Sequence, residues 1–185
     1  MKDEIFVATT NEHKLREIGH ILGCKVNSVQ CAVKEDGKTF EENAIKKAKA
    51  GMKKTGEITI ADDSGLMVDC LDGKPGVRSA RFATPPTPDN LCKKLLRVMR
   101  LCRANRRAEF VCVIAIAYPS GKVKTVKGIC RGKIIEEMRG EGGFGYDAVF
   151  VPTGYKKTFA EMPSAMKNRI SHRAKALKKL RIILK

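Results

Sequence analysis

The chain has no tryptophan, and aromatic residues make up only 5% of it. That leaves little material for the stacked aromatic platforms that hold single-stranded nucleic acid. No apolar run approaches the roughly 20 residues a membrane helix needs. The opening Met1-Lys2-Asp3-Glu4 leads straight into a strand-like segment with no secretion-type leader, which points to the cytoplasm. None of the seven cysteines stands in a C-x-x-C pair, and their spacings fit no zinc site. Without a secretion signal, most read as reduced, small core residues. Acidic residues are also short, 20 against 37 basic ones, for a net charge of +17. Such a surface attracts polyanions, whether a nucleic acid or a small polyphosphate. It equally suits the solvated, highly charged surface of a thermophile.

What is present fits one globular domain over residues 1–185, with 43% hydrophobic residues to build a sizeable core. Its centre is Ile60-Ala61-Asp62-Asp63-Ser64-Gly65-Leu66. Ile58, Thr59 and Ile60 suit a buried strand, Gly65 permits a sharp turn, and Leu66-Met67-Val68 reads as another strand. Two carboxylates at a strand end offer hard oxygen ligands for Mg²⁺, or one ligand and one base. A polar turn capping a strand reads the same dipeptide without chemistry.

Ile5 to Ala8 is a buried-type strand, and Thr9-Thr10-Asn11 leads from it into a helix with Leu15, Ile18, Ile21 and Leu22 on one face. Backbone N–H groups at such a turn suit an anion, and Lys14 lies within reach. An N-cap at Thr10 or Asn11 with a surface lysine explains it as well. Gly23 reads as the C-cap, and a short strand follows over residues 24–29. Thr39 and Glu42 form a capping box. Glu35 has no local role and is a candidate ligand. Thr87-Pro88 starts another helix. The Arg-rich stretch 97–107 reads as a solvated helix end. Residues 108–118 and 123–130 form strands around a turn at Pro119 to Lys122, and 131–138 extends the sheet. The glycine-rich loop 140–147 ends in no G-K-[ST] and so is no Walker A loop; it carries Phe144 and Tyr146, which could stack on a flat ring. A short helix over residues 163–169 precedes a final one capped by Ser171. His172 and Arg173 in its first turn oppose the helix dipole, which favours an anion or base contact there.

Taken in order, these segments resemble the inosine triphosphate pyrophosphatase family of non-canonical purine nucleotide (XTP/dITP) pyrophosphatases. Thr9 to Lys14 resembles its T-G-N-x-x-K opening, with Thr10 where the family usually has Gly. Residues 39–44, 61–66, 75–81, 143–147, 158–162 and 170–173 match further motifs nearly end to end. The resemblance implies an α/β fold: an elongated mixed central sheet with flanking helices, and two lobes around a nucleotide-binding cleft. It implies a homodimer hydrolysing ITP, dITP or XTP with Mg²⁺ to the monophosphate and pyrophosphate. Asp63 would be proton acceptor and, with Glu35, metal ligand; Asp62 and Glu42 would support them. Thr9, Thr10, Asn11, Glu12, His13 and Lys14 would hold phosphates beside Ser64. Phe144, Gly145, Tyr146 and Asp147 would form the base pocket, and Lys167, His172 and Arg173 would touch the nucleotide. Donors at His172 and Arg173 are expected to read a 6-oxo group. A nucleic-acid partner is not required; it would explain the charge but not the carboxylates.

Overall fold

The computed structural model describes residues 4–102 and 105–184. The opening Met1 to Asp3 and Arg103 and Ala104 of the Arg-rich stretch therefore lie outside the described residues. Six strands form one mixed sheet in the order β2-β1-β3-β4-β5-β6: β1 (Glu4–Val7), β2 (Lys25–Ser28), β3 (Thr59–Val68), β4 (Arg107–Ala117), β5 (Val123–Ile134) and β6 (Phe150–Pro152). The helices are α1 (Glu12–Leu22), α2 (Phe40–Thr55), α3 (Pro88–Val98), α4 (Ser164–Ile170) and α5 (His172–Ile183). Among the described residues, no helix is long and apolar enough to cross a membrane. The chain divides into two compact units, to both of which β3, β4 and β5 contribute.

The first unit comprises Met1–Ser64, Cys112–Gly128 and His172–Lys185. In it β1 pairs in parallel with β2 and with β3, opposite Thr59 and Ile60. Parallel neighbours need crossover connections, and α1 and α2 supply them. The Asn11 side chain accepts the Lys14 N–H at the start of α1, and Gly23 closes its end in the left-handed conformation. Thr39 caps α2 through the Glu42 N–H, but the Glu42 carboxylate reaches back to the Lys38 N–H rather than to that of Thr39. Val7, Ile18, Ile60, Ile114, Leu177 and Leu180 fill the core. The last of these come from α5, which lies so close to β5 that a Cβ on Gly128 would sit 2.1 Å from the His172 carbonyl oxygen.

The second unit comprises Gly65–Val111 and Ile129–Ser171. β5 pairs antiparallel with β6, Gly132 opposite Pro152 and Ile134 opposite Phe150. Phe110, Phe150 and Phe159 pack at centroid distances of 4.7, 5.2 and 6.0 Å in its core. Thr87 caps α3, with Pro88 in its first turn. The sheet continuation expected to Met138 stops at Ile134. Cys70 and Cys102 form a disulfide, and the other five cysteines are free.

The main departure is at Gly65. Sequence predicts a turn there, with separate strands on either side. β3 instead runs unbroken from Thr59 to Val68. Gly65 serves a close approach: a Cβ on it would lie 2.4 Å from Ser79 Oγ and 2.5 Å from the Gly76 carbonyl oxygen. Ser79 Oγ in turn accepts the Leu66 N–H at 2.9 Å. Gly65→Ala is therefore expected to cost about 1–3 kcal/mol, the range for overpacking a fitted core. Denaturant unfolding of the variant checks this; an unchanged midpoint would mean that the neighbours yield freely.

Candidate active site

An unbroken β3 has a chemical consequence. Successive side chains on a strand point to opposite faces. Asp62 and Asp63 are adjacent, so they serve different surroundings. Both are buried, at 1% and 6% exposure.

Asp62 faces α1 and α5. Its Oδ2 accepts from Arg173 Nη2 at 2.9 Å and from Ser64 Oγ at 3.1 Å, and pairs with Lys14 Nζ at 3.1 Å. Arg173 Nη1 also bonds the Glu17 carboxylate, and Nη2 reaches Ser64 Oγ at 3.0 Å. Burial alone would raise the Asp62 carboxyl; the charges of Lys14, Arg173 and Lys47 outweigh it and hold the group far below the ordinary carboxylate range. Cys112 lies 4.0 Å from the same oxygen, and burial together with the Asp62 charge pushes its thiol up to about 12, so it remains protonated. Asp62 Oδ1 is buried and takes no hydrogen bond from the described residues.

Asp63 faces α2. Its Oδ1 pairs with Lys47 Nζ at 3.0 Å, and its Oδ2 accepts from Asn43 Nδ2 at 3.2 Å. Glu35 Oε1 meets the same Lys47 nitrogen, also at 3.0 Å. Two carboxylates thus converge on one cation. Burial raises the Asp63 carboxyl above its usual range and Glu35 adds to the rise, while Lys47 opposes it. Asn43 is oriented by the Gly37 N–H, 2.8 Å from its Oδ1. The close seat of α2 explains the reach of both side chains: a Cβ on Gly51 would come within 2.6 Å of Thr59 Cγ2.

These donors suit Mg²⁺. It takes oxygen ligands, is commonly held by one or two carboxylates, and completes its shell with water and substrate phosphate. Among the described residues no group of three or more His, Cys, Asp or Glu could hold a metal by itself. A pair of carboxylates already gathered on one cation fits an ion shared with a phosphate.

The remaining expected residues fall as follows. Thr9 Oγ1 accepts the Asn11 N–H at 3.2 Å, and Thr10, Asn11, Glu12 and His13 are exposed at the head of α1. Asp72 is the only non-glycine with positive φ among the described residues, so Thr10 occupies the usual glycine position without backbone strain. Glu42 is exposed and serves the cap. His172 is buried at 4% exposure in the first turn of α5, beside Arg173 at 0%. Sequence reading missed Lys47, Asn43 and Glu17. Helical spacing offered one clue to the first two, since residues 43 and 47 share a face of α2.

A second cluster lies within the second unit. Asp147 Oδ2 accepts from Lys167 Nζ at 2.6 Å and from the Phe144 N–H at 2.8 Å. The Lys167 ammonium sits 4.7 Å from the Phe144 ring centroid and 5.7 Å from that of Phe159. Tyr146 is 2% exposed and donates its hydroxyl to the Ser79 carbonyl at 2.9 Å. Its ring is core, so of the two aromatics only the half-buried Phe144 offers a face for stacking.

The model of the Ham1 family matches residues 5–183. A dITP/XTP pyrophosphatase of Desulforamulus reducens is 49% identical over 98% of this chain and 95% of its own length. One from Bacillus subtilis is 45% identical over 98% and 96%. The solved Ham1 protein of Staphylococcus aureus superposes with a TM-score of 0.88 at 38% identity, covering 98% of this chain and 97% of that one. The chain belongs to the Ham1 family.

The Asp62 cluster makes a stability prediction. A carboxyl held low in the folded state contributes stability that is complete above its unfolded pKa, about 3.9, and is lost as pH falls below that. Asp62→Asn leaves Arg173 and Lys14 short of a charge partner and is expected to cost about 3–5 kcal/mol at neutral pH. The variant should also lose less stability than wild type between about pH 4 and pH 2. Unfolding midpoints across that range test both; parallel acid limbs would overturn the assignment.

Proposed function

We infer that the chain is a nucleoside-triphosphate diphosphatase that hydrolyses non-canonical purine nucleotides to the monophosphate and pyrophosphate. The observation that carries this is the convergence of Glu35 and Asp63 on one cation, beside an oppositely facing, fully neutralised Asp62. Membership of a family whose relatives are dITP/XTP pyrophosphatases supplies the substrate class. Clearing such nucleotides keeps them out of nucleic acid.

Mg²⁺ is proposed as the cofactor, held by Glu35 and Asp63, where it would neutralise phosphate oxygens and make the α-phosphorus more electrophilic. Asp63 orients a water and accepts its proton as the water attacks; pyrophosphate leaves. The place of Asp63 beside Asn43 and Lys47 fixes the carboxylate for that role. Lys14, Ser64 and the turn from Thr9 to His13 take the phosphates. Lys14 answers to Asp62, so its ammonium is already in place when the triphosphate arrives.

Phe144, Gly145, Tyr146, Asp147 and Lys167 are proposed to receive the base, Phe144 by stacking. His172 and Arg173 are proposed to read the 6-oxo group. A 6-amino purine presents hydrogens to those donors, and each unpaired buried donor costs about 1–3 kcal/mol. Arg173 already donates through Nη1 and Nη2 to Glu17, Asp62 and Ser64, which fixes the orientation of its guanidinium. The family resemblance further supports a homodimer, and the free nucleotide pool supports a cytoplasmic setting.

The test is to incubate the protein with Mg²⁺ and ITP, XTP, GTP or ATP and measure pyrophosphate against orthophosphate. Pyrophosphate from ITP and XTP, with little from ATP, is expected; orthophosphate would place the attack at the γ-phosphorus and overturn the mechanism. Asp63→Asn should lower kcat by about 10²-fold or more. Chelating the metal should abolish turnover, and turnover that survives chelation would mean that Glu35 and Asp63 hold no catalytic metal.

A further inference from the structure

We infer that the Cys70–Cys102 disulfide is a positioning element for the candidate base loop, and that its redox state sets how tightly the protein holds its nucleotide. The inference rests on the base-site reading of residues 144–147 above.

The geometry lies wholly within the second unit. The disulfide joins two cysteines 32 positions apart, with their Cα atoms 6.0 Å from each other. The segment so enclosed carries two of the base loop's anchors; a third, the Lys167–Asp147 pair, lies outside it. One is the Ser79 carbonyl, which takes the Tyr146 hydroxyl at 2.9 Å. The other is Cys92, whose thiol donates to the Gly145 carbonyl at 3.4 Å. Ser79 is itself locked to the strand by the Leu66 N–H and to its own turn by the Gly76 carbonyl, 2.6 Å from Oγ. Cys92 rides on α3, whose Leu91, Leu95 and the following Met99 pack in the same core as Tyr146.

The chain on either side of this segment belongs to β3 and β4, neighbours in the sheet, so its flanks are held there. Beyond those flanks and the apolar packing, the polar tie between its ends is weak. Arg107 pairs with Asp69 at 3.3 Å, but the two side chains are 79% and 48% exposed. Exposed pairs of that kind hold little against solvent and salt. With the disulfide broken, the segment keeps its apolar packing but loses its covalent closure. The freedom so released reaches Ser79 and Cys92, and through them Gly145 and Tyr146. Asp63, the proposed base, is outside the segment, so the effect falls on nucleotide affinity rather than on the chemical step.

Both cysteines are partly exposed, so a small thiol can reach the bond. The step balances as an exchange. A low-molecular-weight dithiol gives two electrons and two protons, the Cys70–Cys102 bond breaks to two thiols, and the dithiol becomes a disulfide. A low-molecular-weight disulfide drives the reverse.

The experiment compares full-length protein treated with a small disulfide or a dithiol, then freed of reagent. Alkylation in denaturant, read by mass, should count five thiols in the first sample and seven in the second. Reduction should lower Tm by about 5 °C or more. It should raise KM for ITP about threefold or more, with kcat changed less than twofold. The Cys70→Ser/Cys102→Ser double variant should behave as the reduced protein and ignore both reagents. Seven thiols in the oxidised sample, or an unchanged KM across the two states, would overturn the proposal. If neither state hydrolyses ITP, the functional reading fails. Hydrogen exchange at the Phe144 to Val149 amides then decides the coupling: faster exchange on reduction upholds it, and equal rates refute it.

Discussion

One carboxylate oxygen, Asp62 Oδ2, gathers the first unit's site. Cations from α1 and α5 and a hydroxyl from β3 all end on it. A charge at that depth is tolerable only with partners of opposite sign, and the partners are tolerable only with the charge. The mutual need fixes three elements against one another. The turn before α1 and the first turn of α5 therefore take their places from a side chain that does no chemistry in the proposed reaction.

The neighbouring Asp63 lives under different terms. It shares Lys47 with Glu35. One acid is held firmly ionised by the cations beside it, and the other is pushed toward protonation by burial and a like charge. Environments that drive two carboxyls apart are how a single fold obtains both a fixed charge and a proton acceptor. In this chain a strand's alternation achieves the separation, because consecutive residues meet different helices.

Much of this was legible in the residues. Asn11, Gly23, Thr39 and Thr87 announced helix ends because capping is a local hydrogen-bond problem whose solutions use few residue types. The ordered motifs named the family because many short patterns rarely coincide. Gly65 was misread because glycine has two uses, freedom of φ and lack of a Cβ, and sequence shows only that glycine is there. Lys47 was invisible among Lys46, Lys49, Lys53 and Lys54; only its burial beside Asp63 separates it from its exposed neighbours. Cys70 and Cys102 met through a tertiary path that no spacing rule encodes.

The unbroken run of β3 carries an implication for how such a gene can change. Point substitutions between Ile58 and Asp62 exchange one side chain and leave the others where they were. A single-codon deletion in the same place shifts the phase of the strand: the residue now called Asp62 would face α2 and its neighbour would face Arg173. Both carboxylates would survive in the translated chain, yet each would inherit the other's surroundings. Insertions and deletions upstream of the acidic pair should therefore be far rarer among viable descendants than substitutions, even in positions where almost any apolar residue would pack.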